Sequence, residues 1–375
     1  MNAVTIPFTR RLGHILVDAR VNGAPATLIL DTGSGACSLD ETWARDLHLT
    51  PGPTAKAVGV GDMKIALATA ARIQIGDGVE LVDEMVALAP FAGVSAVHGV
   101  AIHGTIGFSF FLRYVVEIDY EANVLRLGDP ASYEYRGPGE SIPIDLSKRV
   151  PVLVAQLVTH DGAVIPTRLV LDIGTSAFGA ILTSPFVEQN AASLFSGPFI
   201  ERALGTGIGG SASGRVARLE ELRLGSLTVP HPIVGMPSHG GGFFGSTWVD
   251  GTVGATILAR MRVICDYAHS RVILEPGEGA DAPFEFDASG LTLRAGGESF
   301  SAVTIEAVAP GSAGARAGII PGDALLAVDG RIVSGKTIPW VTEQFMRAGE
   351  TRALSLRRDG REWVADLRLA PFELP

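Results

Sequence analysis

The stretch Ala26-Thr-Leu-Ile-Leu-Asp-Thr-Gly-Ser34 decides how this sequence folds, because it recurs as Thr167-Arg-Leu-Val-Leu-Asp-Ile-Gly-Thr175. In each copy an apolar run ends in an aspartate, Asp31 or Asp172, and a glycine follows two residues later. Such runs predict buried strands that deliver a carboxylate into a tight turn. A turn aspartate ordinarily hydrogen-bonds nearby backbone amides, so a single copy would indicate only a turn.

Further segments repeat at a similar distance and in the same order along the chain. The matched pairs are residues 116–127 with 263–274, 104–107 with 251–254, and 59–61 with 207–209, at offsets of 147, 147 and 148. Collinear matches of this kind indicate an internal duplication.

Segments rich in proline and glycine at residues 129–143 and 275–283 are typical of connectors. We therefore predict an N-terminal lobe over residues 1–135, a C-terminal lobe over residues 136–283, and a third unit over residues 284–375. The 46 glycines and 22 prolines are scattered, which favours many turns and short strands. We expect an all-β protein with two lobes related by a pseudo-twofold axis.

The composition excludes several function classes. The 40 acidic residues outnumber the 30 basic ones, for a net charge of -10, so we expect neither nucleic acid nor an anionic membrane surface as a partner. No apolar stretch is long enough to span a bilayer. The two cysteines, Cys37 and Cys265, are too few for a disulfide framework or a zinc site, and we expect buried thiols.

Motifs of other catalytic classes are missing from the sequence. No serine has glycine at both the -2 and +2 positions, no His-Glu-x-x-His pattern occurs, and the glycine-rich runs lack the Lys-Ser/Thr of a phosphate loop. We expect no metal and no organic cofactor. The first residues lack the pattern of a signal peptide, so we expect a cytoplasmic protein, or a periplasmic or secreted one if a leader was removed.

If the two copies pack about a pseudo-twofold axis, equivalent residues near the axis face each other, and Asp31 meets Asp172. At about 3 Å and an effective dielectric of about 20, two full charges would repel by about 5 kcal/mol. The pair would therefore retain one proton and titrate as a unit. A water between the two carboxyls could then attack a carbonyl by general acid-base catalysis.

These two turns resemble the active-site turns of aspartic proteases, of the pepsin-like and retropepsin-like kinds, in a single-chain, two-lobed form over about residues 4–274. The resemblance implies an aspartic endopeptidase with Asp31 and Asp172 as catalytic residues and a peptide or protein substrate. It also implies supporting roles. Ser34 and Thr175 would hydrogen-bond the catalytic carboxylates, and Thr32 would tie the two turns together. The supporting residues are Thr32, Gly33, Ser34, Gly174 and Thr175.

Ile173 departs from the family pattern, because it stands where a second threonine would complete the tie between the lobes. We therefore expect only half of that contact.

The same resemblance places a flap over the cleft at a glycine-containing turn between two strands of the first copy. Gly61 would let the tip bend. The tyrosine of pepsin-like flaps is missing here. Residues 207–210 of the second copy form either a second flap or an ordinary glycine hairpin. The predicted flap residues are Gly59, Val60, Gly61, Asp62, Met63, Gly207, Ile208 and Gly209. The loop at residues 240–245 either lines the cleft or fills local core.

Residues 308–330 are similar to the PDZ domains attached to bacterial proteases. In such domains, amides in a glycine turn before a strand bind the carboxyl terminus of a peptide. The candidate turn in this chain comprises Gly290, Leu291, Thr292 and Leu293. The resemblance therefore implies a C-terminal peptide of a substrate or partner as a second ligand.

Two alternatives remain open at this point. The chain could be a catalytically silent peptide-binding or scaffold protein, because Ile173 and the unusual flap would prevent a working pair of aspartates. The lobes could also pair between chains, although we expect a monomer rather than a dimer.

Overall fold

The computed structural model describes residues 4–76, 78–334 and 338–370. The first copy of the duplication is built mainly of short strands. Its strands are β1 (Val4–Pro7), β2 (Thr9–Arg11), β3 (His14–Val21), β4 (Ala24–Leu30), β5 (Ser38–Asp40), β6 (Thr54–Val58), β7 (Asp62–Ile75), β8 (Val79–Ala89), β9 (Gly104–Ile106), β10 (Val115–Asp119) and β11 (Val124–Gly128). Its helices are α1 (Glu41–Asp46), α2 (Ala92–His98) and α3 (Phe108–Arg113).

The second copy repeats this plan. Its strands are β12 (Glu140–Pro143), β13 (Val152–Val158), β14 (Val164–Asp172), β15 (Ala180–Leu182), β16 (Phe199–Gly207), β17 (Gly210–Arg218), β18 (Glu221–Leu224), β19 (Leu227–Pro230), β20 (Ile233–Pro237), β21 (Gly251–Gly254), β22 (Met261–Asp266) and β23 (Arg271–Pro276). Its helices are α4 (Ser184–Gln189), α5 (Ala191–Leu194) and α6 (Ala255–Leu258), with 3-10 turns at Gly242–Gly245 and Tyr267–His269.

The third unit is a small sheet with its own core. Its elements are β24 (Leu291–Gly296), a 3-10 turn (Glu298–Phe300), β25 (Ala302–Val308), α7 (Ala313–Arg316), β26 (Ala324–Val328), β27 (Arg331–Ile332), α8 (Ile338–Glu343), β28 (Thr351–Arg358) and β29 (Arg361–Arg368). The strands lie in the order β24-β25-β26-β28-β29, and β27 pairs with β26. The mostly β architecture agrees with the predicted fold class.

The two lobes have equivalent sheet topologies. The first has the strand order β2-β3-β4-β9-β5-β8-β7-β6, and the second has β16-β17-β20-β15-β21-β14-β13-β18-β19. In the first, β4 runs parallel to β9 with Leu30 opposite Ile106. In the second, β14 runs parallel to β21 with Leu171 opposite Val253. The strands that carry the two aspartates therefore occupy the same position in each lobe.

A six-stranded sheet, β1-β11-β10-β22-β23-β12, joins the lobes. At its centre β10 pairs antiparallel with β22, and Glu117 lies opposite Ile264. These two residues are 147 positions apart, the offset of the sequence repeat. Since only residues near a twofold axis can face their own equivalents, the axis passes through this strand pair.

One hydrophobic core runs through both lobes, because the strands below the aspartates are apolar on both faces. Leu28 and Leu30 of β4 and Leu169 and Leu171 of β14 are all buried within it. None of the helices in the described part of the chain has the length and hydropathy needed to cross a membrane.

The third unit packs against the first lobe. Leu12, in the turn between β2 and β3, contacts the core of the third unit. Gly99 follows α2 and lies so close to Ala295 and Ile338 that a Cβ there would stand 3.5 and 3.3 Å from their side chains. The end of α2 therefore covers the outer edge of β24 and the start of α8.

Thr32 connects the two lobes through its side chain. Its hydroxyl donates to the Leu171 carbonyl oxygen at 2.7 Å and accepts from the Ile173 amide at 3.0 Å. Its side chain is buried, so neither backbone group of the second lobe has water as an alternative partner.

We expect Thr32→Val to lower the free energy of unfolding by about 2–4 kcal/mol, because it leaves one buried carbonyl and one buried amide unpaired. Urea denaturation monitored by circular dichroism would measure the change. The control is Thr167→Val, because the buried Thr167 hydroxyl has no hydrogen-bond partner among the described residues and its loss should cost little. Equal destabilisation by both variants would contradict the assignment.

Candidate active site

Asp31 and Asp172 lie at the ends of β4 and β14, where the sequence predicts turns. Each carboxylate accepts a hydrogen bond from the amide of the glycine two residues later, Gly33 at 2.8 Å and Gly174 at 2.9 Å. The Asp31 amide itself donates to the Ile106 carbonyl of the neighbouring strand at 2.9 Å. The pairing of the parallel strands therefore holds the turn in place, and the glycine amide of the turn holds the orientation of the carboxylate.

The two carboxyl groups meet across the lobe interface. Each carboxyl is close enough to the other to affect its pKa. A Cβ on Gly33 would lie 2.6 Å from Cγ of Asp172, and a Cβ on Gly174 would collide with the carboxyl of Asp31. Each carboxyl therefore packs on the glycine of the opposite turn, and any larger residue would force the pair apart.

The surroundings of the two acids differ. Burial, followed by the charge of Asp172, holds the pKa of Asp31 well above its usual range. Burial also raises the pKa of Asp172, but hydrogen bonds from the Thr175 hydroxyl, at 2.7 Å, and from the Gly174 amide oppose that effect. The Thr175 hydroxyl bond therefore favours the ionised form of Asp172.

Ser34 and Thr175 occupy equivalent positions but act differently. Thr175 donates to the Asp172 carboxylate, as the resemblance implies. Ser34 instead donates to the Ala36 carbonyl at 2.7 Å. The expected bond from Ser34 to the catalytic carboxylate is therefore wrong, because the loop places a backbone acceptor only two residues away.

His14 is a site residue that the sequence reasoning missed. Its Nε2 lies 2.9 Å from the Gly174 carbonyl oxygen, and its Nδ1 lies 3.1 Å from Ser176 Oγ. Burial, followed by the neighbouring His98, lowers the pKa of His14 to about 3. A neutral imidazole of the first lobe thus contacts the Asp172 turn of the second lobe. The only signal in the sequence is a histidine that opens an apolar strand.

The two predicted flap tips meet each other. The Val60 amide donates to the Ile208 carbonyl at 2.9 Å, which joins the turn between β6 and β7 to the turn between β16 and β17. The Phe243 amide of the 240–245 loop donates to the Gly59 carbonyl at 2.9 Å. Residues 207–210 therefore form a hairpin whose tip faces the first flap.

The structure shows a further reason for glycine at position 61, besides the bending expected of the flap tip. Gly61 does not adopt a left-handed conformation, whereas Gly209, in the opposite tip, has φ of +91°. A Cβ on Gly61 would collide with the Gly209 carbonyl oxygen. Glycine is needed at this position because the other flap approaches closely.

The remaining flap residues support these tips. Asp62 and Met63 begin β7 and pair with Val58 and Ala57 at the base of the first tip. Ile208 packs against an apolar cluster of the first lobe. A Cβ on Gly207 would stand 2.7 Å from the Val60 side chain.

The predicted carboxylate-binding turn of the third unit already has internal partners. The Asp287 carboxylate accepts from the Ser289 amide at 3.1 Å and the Gly290 amide at 2.9 Å. The Leu291 amide donates to Ser289 Oγ at 3.0 Å. Leu291 and Leu293 point into the core of the third unit, and Thr292 lies between them on β24. The turn amides therefore do not offer the open anion site that the resemblance implies.

Within residues 4–76, 78–334 and 338–370, no group of three or more His, Cys, Asp or Glu side chains could hold a metal ion. Both cysteines are free and buried, as predicted. Burial raises the pKa of Cys37 to about 11 and that of Cys265 to about 12.

Comparisons with known proteins agree with this architecture. Residues 17–110 match the family model described as an aspartyl protease, and residues 304–356 match that of a PDZ domain. No curated protein sequence matches the chain. Among solved structures it is similar to an aspartic proteinase from Irpex lacteus, with 14% identity and a TM-score of 0.46 over 75% of this chain and 99% of that one. The two family models therefore assign an aspartyl protease segment to the first lobe and a PDZ domain to the third unit.

Proposed function

We propose that this protein is an aspartic endopeptidase that hydrolyses peptide bonds through a water held between Asp31 and Asp172. The observation that supports this most directly is the contact between their carboxyl groups, each packed on the glycine of the opposite turn. Two half-buried carboxyls in contact must share a proton, so the pair contains both an acid and a base.

The asymmetry of the pair assigns the two roles. Asp172, kept ionised by Thr175 and Gly174, takes a proton from the bound water as the water attacks the peptide carbonyl. Asp31 donates its proton to the carbonyl oxygen, which gives a tetrahedral diol. Collapse of the diol breaks the C–N bond: one diol hydroxyl returns its proton to Asp31, and the proton gained by Asp172 passes to the leaving amine. The pair then holds one proton again, and no covalent intermediate forms.

The backbone groups of the two flap tips could bind an extended peptide substrate. Their backbone groups now bond each other, through the Val60 amide and the Ile208 carbonyl. These tips must separate to admit a peptide, and the released backbone groups can then pair with its main chain, as an added strand does. In this proposal the PDZ domain recruits C-terminal segments of substrates or partners once the Asp287 carboxylate has released the Ser289 and Gly290 amides.

The alternative of a silent binding protein depends on Ile173 and on the flap. The structure weakens the first argument, since Thr32 bonds both Leu171 and Ile173 of the second turn. His14 adds a second contact from the first lobe, to Gly174. The turn that lacks its own threonine is thus still held from across the interface.

We expect Asp31→Asn and Asp172→Asn each to reduce peptide cleavage by at least about a thousandfold, because either change removes the acid or the base of the pair. Mass spectrometry of a peptide library, with and without pepstatin, would measure cleavage. Asp145→Asn is the matched control, since Asp145 lies in an exposed turn where asparagine can still accept from the Ser147 amide. No cleavage by the unmodified protein, or full activity in either site variant, would refute the proposal.

Activity should show a bell-shaped pH dependence. The alkaline limb reflects loss of the proton on Asp31, whose raised pKa moves this limb above the ordinary carboxyl range. The same proton contributes stability that is lost as the pH rises through the folded-state pKa of Asp31, because the unfolded chain releases it at lower pH.

The acid limb reflects protonation of Asp172. We expect Thr175→Val to move the acid limb to higher pH, because it removes a hydrogen bond that lowers the pKa of Asp172.

Profiles of kcat/KM against pH would test this expectation. Ser34→Ala is the control at the equivalent position, since the Ser34 hydroxyl bonds Ala36 and should leave both limbs in place. Equal shifts in the two variants would show that the Thr175 hydroxyl does not tune the acid.

His14 should act as a positioning residue for the second turn. We expect His14→Ala to lower kcat about tenfold with little change in KM, and His14→Gln to retain most activity, because the amide can still donate to the Gly174 carbonyl. His103→Gln, in a half-buried histidine of the same lobe that bonds the Thr27 amide, is the control.

The stability of the protein gives a second readout for His14. Because the pKa of His14 falls from 6.5 to about 3 on folding, the unfolded chain binds the extra proton more readily, and stability is lost as the pH falls through this range. His14→Gln should flatten that dependence in urea denaturation. Equal activity of the alanine and glutamine variants would contradict a role for the hydrogen bond.

A further inference from the structure

The hairpin that joins β2 to β3 has an unusual residue at its tip. Arg11 pairs with His14, so Leu12 and Gly13 form a two-residue loop. Both loop residues have a left-handed backbone, with φ of +51° at Leu12 and +83° at Gly13. This is the geometry of a type I′ turn, which prefers asparagine, aspartate or glycine at its first position. A bulky residue such as leucine is strained there.

Three other hairpins of this chain have two-residue loops of the same geometry, and each follows the usual preference. They are the β3–β4, β26–β27 and β28–β29 hairpins, with the loops Asn22-Gly23, Asp329-Gly330 and Asp359-Gly360. The turn itself therefore does not require leucine at position 12. Because a strained backbone persists only where the surrounding structure compensates for it, contacts of the leucine side chain must supply that compensation.

The PDZ domain provides these contacts. Leu12 packs against the hydrophobic core of that domain, although it belongs to a hairpin of the first lobe. Its side chain is partly buried there. Removal of an apolar side chain from water is favourable and offsets the strain of the turn. The hairpin tip is thus a docking point between the first lobe and the PDZ domain.

The residues that follow in the same hairpin contact the aspartate turn of the second lobe. A Cβ on Gly13 would lie 2.8 Å from Cβ of Ser176, so the hairpin packs closely on that turn. His14 lies 2.9 Å from the Gly174 carbonyl oxygen through Nε2 and 3.1 Å from Ser176 Oγ through Nδ1. Three consecutive residues therefore connect the PDZ core to the second aspartate turn.

A second connection between the PDZ domain and His14 runs through α2. The His98 ring packs edge-on against His14, with the ring centroids 4.7 Å apart. Arg11 donates to the His98 carbonyl oxygen at 3.1 Å, which ties the hairpin to this helix. Gly99 follows at the end of α2 and lies against β24 and α8 of the PDZ domain. Both the hairpin tip and the end of α2 are thus in contact with that domain.

We propose that the PDZ domain is a structural part of the candidate active site, and that Leu12 is a positioning residue for the Asp172 turn. Docking of Leu12 in the PDZ core keeps His14 against the Gly174 carbonyl. The amide of Gly174 in turn orients the Asp172 carboxylate, to which it donates at 2.9 Å. The effect on catalysis rests on the proposed function, whereas the docking role of Leu12 does not.

Leu12→Asn separates the preference of the turn from the docking contact. Asparagine suits the left-handed backbone better than leucine does, but it cannot pack favourably against an apolar core. We expect the urea midpoint of the full chain to fall, because the lost contact outweighs the relieved strain. Leu12→Met is the matched control and should keep the midpoint, since methionine retains the apolar volume. A higher midpoint in the asparagine variant would show that the turn alone decides this position.

A second measurement follows His14 directly and needs no catalysis. Because the Gly174 carbonyl can only accept, the His14 Nε2–H donates to it, and this proton should exchange slowly with water in ¹⁵N-histidine spectra of the full chain. His14→Gln identifies the signal by removing it. In Leu12→Asn the proton should exchange at least about tenfold faster, whereas Leu12→Met should leave its rate unchanged. Unchanged exchange in the asparagine variant would overturn the proposal.

Peptide cleavage tests the catalytic consequence. Leu12→Asn should lower kcat about fivefold with little change in KM, as expected for a residue that positions the site without touching substrate. In a chain that already carries His14→Ala it should cause little further loss, because the residue through which it acts is gone. Independent, additive losses would contradict this route. If the unmodified protein cleaves no peptide, the proposed function fails, and the urea and exchange measurements still decide whether Leu12 positions His14.

Discussion

The contact between two carboxyl groups at the lobe interface is the constraint on which the rest of this structure depends. Such a contact is stable only if the pair keeps one proton and each carboxyl finds space on the opposite turn. Gly33 and Gly174 provide that space. The parallel pairing of β4 with β9 and of β14 with β21 provides the rigidity. The six-stranded sheet through the pseudo-twofold axis holds the two turns in register.

The duplication is not perfect, and the two aspartate turns differ in the hydrogen bonds that their hydroxyl groups make. Thr175 bonds its aspartate, whereas Ser34 bonds a loop carbonyl, so one acid is better stabilised as an anion than the other. Because Ile173 stands where a second threonine would be, Thr32 alone supplies a hydroxyl that hydrogen-bonds the turn of the opposite lobe. His14 then contacts Gly174 from the first lobe, which gives the second turn a partner that its own sequence lacks. In the proposed mechanism this asymmetry separates the acid from the base, while Thr32 and His14 hold the two turns together.

The PDZ domain is integrated with the protease lobes. Leu12 packs into its core, and the end of α2 covers the edge of β24. Arg202, on a hairpin whose tip meets the opposite flap, reaches the boundary between the two units.

The strands that end at Asp31 and Asp172 and the duplication can be predicted from the sequence alone, because apolar periodicity and repeat spacing are visible in it. The meeting of the two acids follows once the two copies pack about a pseudo-twofold axis. The hydrogen-bond partner of each hydroxyl, amide and imidazole group could be read only from the tertiary structure. The Ser34 hydroxyl donates to a carbonyl oxygen two residues away, and Gly61 must be glycine because the backbone of the other lobe approaches it closely. His14 hydrogen-bonds Gly174, which is 160 positions away in the sequence. Such choices depend on distances of a few tenths of an ångström between segments that are remote in the chain, and no spacing within the sequence encodes those distances.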